Sequence, residues 1–507
     1  MPYRGREIPV TDLTGGQASN RAITGLELNQ ALEVDNVHSL PGGGIRLRQG
    51  DVEVNSAAFA SGAAWTGLLW YQKSNGDTDL VGVAGTLVGK IDYSGGSPDG
   101  TVDNVTGSLT ITGGANNLWT SFTAGDEAIF VGGAPDVPFV FDGTSTSIVS
   151  GSAPSGDFGF FHNNRMFIGT KATSFLQNST LANIKDFSGD GSGTVDVDGK
   201  DGDGLITAVP LNTDVILAFK QNSIHQIITT SFPFRRFPLF KNIGCIGKHA
   251  KVIHEGLIYF ITPQGRMKAT DGSSIKDFPT DMDDVWDEIS KTRLPFIIGY
   301  FEQGKNFRHI KWTVSADGGS TNSLSIIWDL DKKSWWKFTT GHNVNTVTTD
   351  RDANIIYAGH YDGKIYEKNK SGIFTDASES DTGIDGLWRW GWQTNNSLQI
   401  SIHPQRLNTS MEGQTSGELR VTYGFDFAND IKTEDIDMSV AGALWDTDLW
   451  DEGIWAGQTD IIRNILLFGR GNAFSIAFKN KTAGEVFQVN YFTVSGKESA
   501  QKIFQAI

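Results

Sequence analysis

Apolar and polar residues alternate with a period of two along most of this chain, in short bursts separated by glycine, asparagine or aspartate turns, the pattern of half-buried strands. Seven segments share one design: an apolar strand, a polar or glycine turn, then a second strand, often closing in Asp-Gly or Gly-Gly. They read TDLVGVAGTLVGKIDYSGG, EAIFVGGAPDVPFVFDG, NRMFIGTKATSFLQNS, DVILAFKQNSIHQIITT, GLIYFITPQGRMKATDG, LSIIWDLDKKSWWKFTT and ANIIYAGHYDGKIYEKN, with strands beginning near Leu80, Ile129, Met166, Ile216, Ile258, Ile326 and Ile356. Six steps over the 276 residues from Leu80 to Ile356 make a mean period of 46, within the roughly 40–50 residues of a four-stranded propeller blade. One twisted four-stranded sheet cannot bury both its faces, whereas blades packed around an axis cover each other and leave only short edges. The expectation is an all-β chain in which 61–376 forms a six- or seven-bladed β-propeller, seven being the number of segments. A meander of hairpins in a sandwich predicts no steady spacing.

The pattern departs from this period in three places. The interval from Ile258 to Ile326 is long and contains TDMDDVWDEISKTRLPF. Thr280 and Asp283 have the spacing of a capping box there, and Met282, Val285, Trp286 and Ile289 share one helical face until Pro295 stops the helix, so an insertion near 280–292 is expected. That helix can pack on a neighbouring subunit, with Trp286 at the contact, or cover its own blade. After about residue 376, SGIFTDASESDTG forms a polar linker, and WRWGWQ, SLQISIHP, ELRVTYGFDF, AFSIAFKN and VFQVNYFTV alternate as strands of a C-terminal β-sandwich over 377–507. The first sixty residues match neither part; they read as an extended N-terminal arm ending in a glycine turn and a strand that enters the first or last blade.

Composition narrows the function classes. Sixty glycines and 11% aromatic residues suit many strands joined by tight turns. A single cysteine, Cys245, cannot form an internal disulfide, and no activating base adjoins it in sequence. With 42 basic against 58 acidic residues, the net charge of −16 argues against a non-specific nucleic-acid wrapper. No run reaches the roughly 18 apolar residues of a membrane span, and the N-terminus lacks the apolar core of a signal peptide, so synthesis in the cytoplasm is expected.

Signatures of catalysis are sparse, and no catalytic residues are assigned. HExxH, Walker and GxSxG motifs are absent, GTLVGKI at 85–91 is a hairpin turn, and His249 and His254 lie five apart, the wrong spacing for one metal on a helix face. The strongest anomaly is DFSGDGSGTVDVDGKDGDG, in which Asp196, Asp198, Asp201 and Asp203 can converge on calcium through carboxylate oxygens or serve as a solvated acidic turn. No other cofactor is suggested. FPFRRFPLFKNIGCIGKHAK interleaves Arg235, Arg236, Lys241, Lys248 and Lys251 with four phenylalanines, suiting a subunit contact or a blade strand with a solvated face better than a single-strand clamp in so acidic a chain. LWDTDLWDEGIWAG places Trp445, Trp450 and Trp455 five apart, neither a strand nor a helix period; they are candidates for plugging the sandwich or for a partner contact.

Together LNQALEVDNVHSLPGGGIRLRQG, DGDGLITAVPLNTDVILAFKQNSIHQI, GCIGKHAKVIHEGLIYFITPQGRMKATDG and AFSIAFKNKTAGEVFQVNYFTV resemble the phage tail propeller proteins: nozzle, tail hub or packaged-DNA stabilisation proteins. The likeness is one of layout and short phrases over most of the chain. It implies a structural virion component of the tail, a homo-oligomeric ring of six copies contacting the portal-adaptor and other tail proteins. Such a ring would close the channel, retain packaged DNA and let it pass during ejection without specific binding. An acidic wall fits that task, because cation–phosphate contacts are what hold DNA in place. The competing reading is a propeller that binds or hydrolyses host glycans, which for hydrolysis needs two carboxylates facing one sugar.

Overall fold

Four-stranded antiparallel sheets follow one another through the middle of the computed structural model, which describes residues 4–500 except 94, 133–134, 150–151, 182, 340, 342, 395–399, 415 and 440–459. The described residues contain seven such sheets, at 65–104, 119–148, 158–196, 205–241, 251–277, 298–338 and 344–367, referred to below as the first to seventh blades. In each of the first six, the strands pair in chain order. The seventh has three strands of its own and takes its outermost strand from the N-terminal region, Val52–Glu53 pairing antiparallel with Ile365–Glu367. Asn55, fully buried, extends this closure by accepting the Ile365 N–H at 2.7 Å. The fold is thus the all-β propeller expected from the period.

Much of the glycine is used where blades approach each other. Gly67, on the innermost strand of the first blade, lies so close to the second that a Cβ would fall 2.7 Å from the Trp119 Cβ. Gly359 of the seventh blade would place a Cβ 2.5 Å from the Trp65 Cβ of the first. The second contact joins the ends of the series, so the indole of Trp65, with no exposed surface, seals the ring. Asn345 of the seventh blade reinforces it by donating to the carbonyls of Trp65 and Ala115 at 2.8 and 3.0 Å.

The C-terminal residues build two six-stranded sheets packed face to face as a sandwich. Trp388, Val421, Phe478, Leu407, Val489 and Phe492, drawn from both sheets, share one core. The N-terminal sixty residues run extended but are divided between the two bodies. Arg4–Val10 and the hairpin Val37–Ser39/Ile45–Leu47 pair with Gln488–Ala500, and Ala31–Asp35 pairs with Leu387–Trp390. The reason is burial: Val34, Val37, Ile45 and Leu47 have no exposed surface and complete the sandwich core.

The insertion between the fifth and sixth blades forms a shorter helix than the pattern suggests, Asp283–Asp287, followed by a 3-10 turn, Lys291–Phe296. The Thr280/Asp283 capping box does not form; Met282 is the N-cap, without a side-chain hydrogen bond. Met282, Val285, Trp286 and Ile289 are all buried, with the Trp286 ring centroid 6.2 Å from that of Trp335. The expectation that Trp286 contacts a partner is therefore corrected: its indole closes the core of its own chain, because a five-residue helix cannot stand away from the blade beneath it.

Candidate functional site

Two regions concentrate charged groups inside the fold: the propeller axis and the junction between propeller and sandwich. At the axis, Lys248 precedes the innermost strand of the fifth blade and reaches across the ring. Its ammonium donates to the carbonyls of Leu118 and Asp157, at 2.5 and 2.7 Å, which precede the innermost strands of the second and third blades. Lys251 donates to the Lys248 carbonyl at 2.5 Å. Arg293 ties Asn116 to the Tyr361 hydroxyl at 2.5 and 2.8 Å. Lys248 is half-buried with protein on nearly every side of its ammonium, and this enclosure lowers it to about 8, as it does for Lys251. The axis is thus spanned by the chain's own side chains at this end.

The junction is built from the sixth and seventh blades and the N-terminal strands of the sandwich. Trp336 and Phe338, from the outer strand of the sixth blade, enter the sandwich core. Around them lie buried ion pairs: Arg48 with Asp376, Lys368 with Asp51 at 2.5 Å, and Lys311 with Glu302 at 3.5 Å. The Arg48 and Lys311 cations also lie over the Phe338 ring, 5.5 and 4.9 Å from its centroid. Burial pushes the Asp51 carboxyl up, but Lys368, His360 and the Ser378 hydroxyl more than offset this and hold it at about 2. Burial and the neighbouring His309 ring lower His38 to about 4, so its imidazole is neutral at physiological pH. Phe307 stacks on His309 at 4.4 Å, and Ser39 donates to Asp329, which lies 3.8 Å from the His309 Nε2. Above this layer opens a cavity of about 650 Å³ bordered by Arg46, Glu302, Lys305, Phe307, Glu367 and Lys370. Its size is that of a small-molecule site, yet most of the charged groups on its floor already hold one another.

The residues singled out in the sequence are dispersed. Of the aspartates expected to converge on calcium, Asp198 and Asp201 come together with His225, ligand atoms within 4.8 Å of one another. Asp196 and Asp203 instead cap turns, accepting the N–H groups of Gly199 and Asn222 at 2.7 and 2.9 Å. The convergence is towards the chain's own cations. Lys220, fully buried, donates to the Asp198 carbonyl at 2.9 Å and to the Asp201 carboxylate, and Arg236 pairs with Asp198 at 3.1 Å. The basic and aromatic segment 232–251 splits in two. Arg235, Arg236 and Lys241 lie on the outermost strand of the fourth blade, while Lys248 and Lys251 are at the axis, so they form no common face for a nucleic-acid strand. Cys245 is buried, donates to the Gly247 carbonyl at 3.2 Å, and is raised to about 11 by burial, the state of an inert thiol. Trp445, Trp450 and Trp455 lie outside the described residues.

The junction was not foreseen. Its one sequence signal is the placing of charged or imidazole groups at inward positions of strands, as in Phe307–Val314, where His309 and Lys311 alternate with the tryptophan and isoleucine they flank.

No protein-family model and no curated protein matches the chain. Among solved structures it is similar to Ycf48 from Cyanidioschyzon merolae, at 12% identity and a TM-score of 0.40 over 64% of this chain and 100% of that one. It is similar also to Ycf48 bound to D1 peptide, at 11% identity and 0.40 over 64% and 98%, and to the WD40 β-propeller domain of Doa1, at 9% identity and 0.41 over 64% and 98%. These are likenesses of chain path; the chemistry has to be read from this chain's own residues. No helix among the described residues is long and apolar enough to cross a membrane.

Proposed function

We propose that this chain is a structural subunit of a bacteriophage tail, one of several copies that surround the path of the genome and contact a portal-adaptor ring. The observation that carries the reading is the stitching of the two bodies into one rigid block. The N-terminal strands complete the sandwich core and then close the seventh blade, while Arg48–Asp376 bridges the arm to the linker before the sandwich and Lys337–Asp35, at 3.2 Å, bridges the sixth blade to the arm. Buried ion pairs of this kind fix relative position more than they add stability. A block whose parts cannot hinge suits a ring segment. The resemblance in sequence supplies the tail context and the number six, and the net charge of −16 lets DNA pass without adhering.

The passage for the genome lies between copies, because Lys248 spans the propeller's own axis. Negative-stain imaging and mass photometry of the purified chain, with and without an adaptor ring, test the proposal. Rings with a central opening are expected; a chain that stays monomeric with its adaptor present, or that cleaves a host polysaccharide, overturns it.

A further inference from the structure

Two open strand edges stand apart on the surface, one on the sandwich and one on the propeller. Among the described residues the sandwich meets the propeller through Ala31–Asp35 and Val37–Ser39, at one edge of each sandwich sheet, which pack against the outer strand of the sixth blade, Ser334–Phe338. Among the described residues, Ala428–Asp437 in one sheet and Asp460–Leu466 in the other are the last strands of their sheets, at the edges away from that contact. Around the ring the fourth blade stands two places from the sixth and three from the seventh. The outermost strand there, Arg235–Lys241, is likewise an unpaired edge.

The two edges are complementary. From Phe232 to Lys241 the fourth-blade edge has no acidic residue of its own; Arg236 is paired with Asp198, Arg235 and Lys241 face solvent, Phe237 is 49% exposed, and Phe232 is also exposed. The described sandwich edge, 426–439 and 460–466, carries six acidic residues against Lys432 and Arg463; Asp430 is paired with Arg389 and Asp435 with Arg420 and Lys481, which leaves four acids without an ion pair among the described residues. Its Ile431 and Leu466 are exposed, and Ile462 is 59% exposed. Open strand edges bearing large apolar side chains are costly to leave in water and are usually covered by a partner.

We infer that the fourth-blade edge of one copy docks on the free sandwich edge of the next. The inference rests on the ring reading and names the surfaces by which the ring would form. Because the two surfaces differ, the contact is heterologous: repeated, it closes a ring or runs on as a filament, and it does not stop at a two-fold dimer.

The test uses two full-length variants, checked for unchanged thermal melting: Arg235→Glu with Lys241→Glu, both exposed, and Glu434→Lys, half-buried, with the exposed Ile462→Lys. Wild type is expected to assemble by mass photometry, and each variant alone to associate at least about tenfold more weakly, the loss typical of reversed charge at an interface. Mixed, the two variants offer one intact pair of surfaces and one charge-swapped pair, both attractive, so association is expected to recover with the two variants alternating. Variants that assemble like wild type, or a mixture that stays monomeric, overturn the docking. If wild-type rings survive both substitutions the ring reading stands and these surfaces fail; if wild type forms filaments sensitive to them but never rings, the surfaces stand and the tail-ring reading fails; a wild type that stops at dimers overturns the docking.

Discussion

At the scale of single residues, the molecule stores its charges where they join parts. Lys368 and Asp51 are both almost wholly buried, and Lys368 also donates to the Gly341 carbonyl at 2.8 Å. A Lys368→Met variant leaves the Asp51 carboxylate without its cation, and removing one partner of a buried pair costs about 3–5 kcal/mol; the denaturant midpoint is expected to fall accordingly, and an unchanged midpoint would refute the pairing. Acid should act on the same layer. Asp51 and Asp329 are held at about 2, against about 4 in an unfolded chain. Their stabilisation is therefore complete above about 4 and lost as pH falls from about 4 to about 2, where the unfolded state takes up protons that the folded state resists. At the axis it is the charged form that the fold disfavours, but the slope keeps its sign. Lys248 and Lys251 are lowered to about 8, so between about 8 and 10 the unfolded state binds more protons and the folded state gains stability with rising pH. A melting temperature that climbs across this window in wild type, and climbs less in Lys248→Met, is the expected result.

At the scale of the element, the packing of blade on blade explains both what the sequence disclosed and what it hid. Gly359→Ala would set a methyl 2.5 Å from the Trp65 Cβ, and overpacking of this kind costs about 1–3 kcal/mol. Trp286→Ala should destabilise by about 3–5 kcal/mol, as for a large core residue, while leaving self-association unchanged in the folded protein; calorimetry and mass photometry together separate this from a role at an interface. Six of the seven segment marks, Leu80, Ile129, Met166, Ile216, Ile258 and Ile356, fall on the second strand of their sheets, whereas Ile326 falls on the third. The strand passed over is Phe307–Val314, whose inward His309 and Lys311 serve the junction and break the apolar alternation. The long interval before Ile326 thus reflects that missed strand as well as the helical turn. Periodicity reveals blades because each is local in sequence. It does not reveal that Arg4–Val10 pairs with Gln488–Ala500, since nothing in either strand's pattern names a partner nearly the whole chain away. The junction was illegible for the same reason: Asp51–Lys368 and Arg48–Asp376 each join residues more than three hundred positions apart.

At the scale of the whole molecule, rigidity and the uneven distribution of charge set how copies can meet. A chain of net charge −16 should repel its own copies at long range. The fourth-blade edge is where that repulsion is locally reversed, since Arg235 and Lys241 face solvent with no acidic residue among their strand neighbours. Salt therefore acts in two opposed ways. It screens the general repulsion, which favours association, and it screens the attraction between the basic edge and the acidic sandwich edge, which opposes it. The screening length shrinks from about 10 Å at 0.1 M to about 3 Å at 1 M, so the long-range repulsion is removed first and the short contact attraction last. Wild-type assembly is accordingly expected to strengthen as salt is first added and then to weaken towards about 1 M as the contact charges are screened too. Arg235→Glu with Lys241→Glu, having no attraction to lose, should only gain from salt, with its residual association rising monotonically. Light scattering across a salt series reads the difference directly, and a wild-type curve that rises without a maximum would mean that apolar burial alone, through Phe237 and Ile462, holds the copies together.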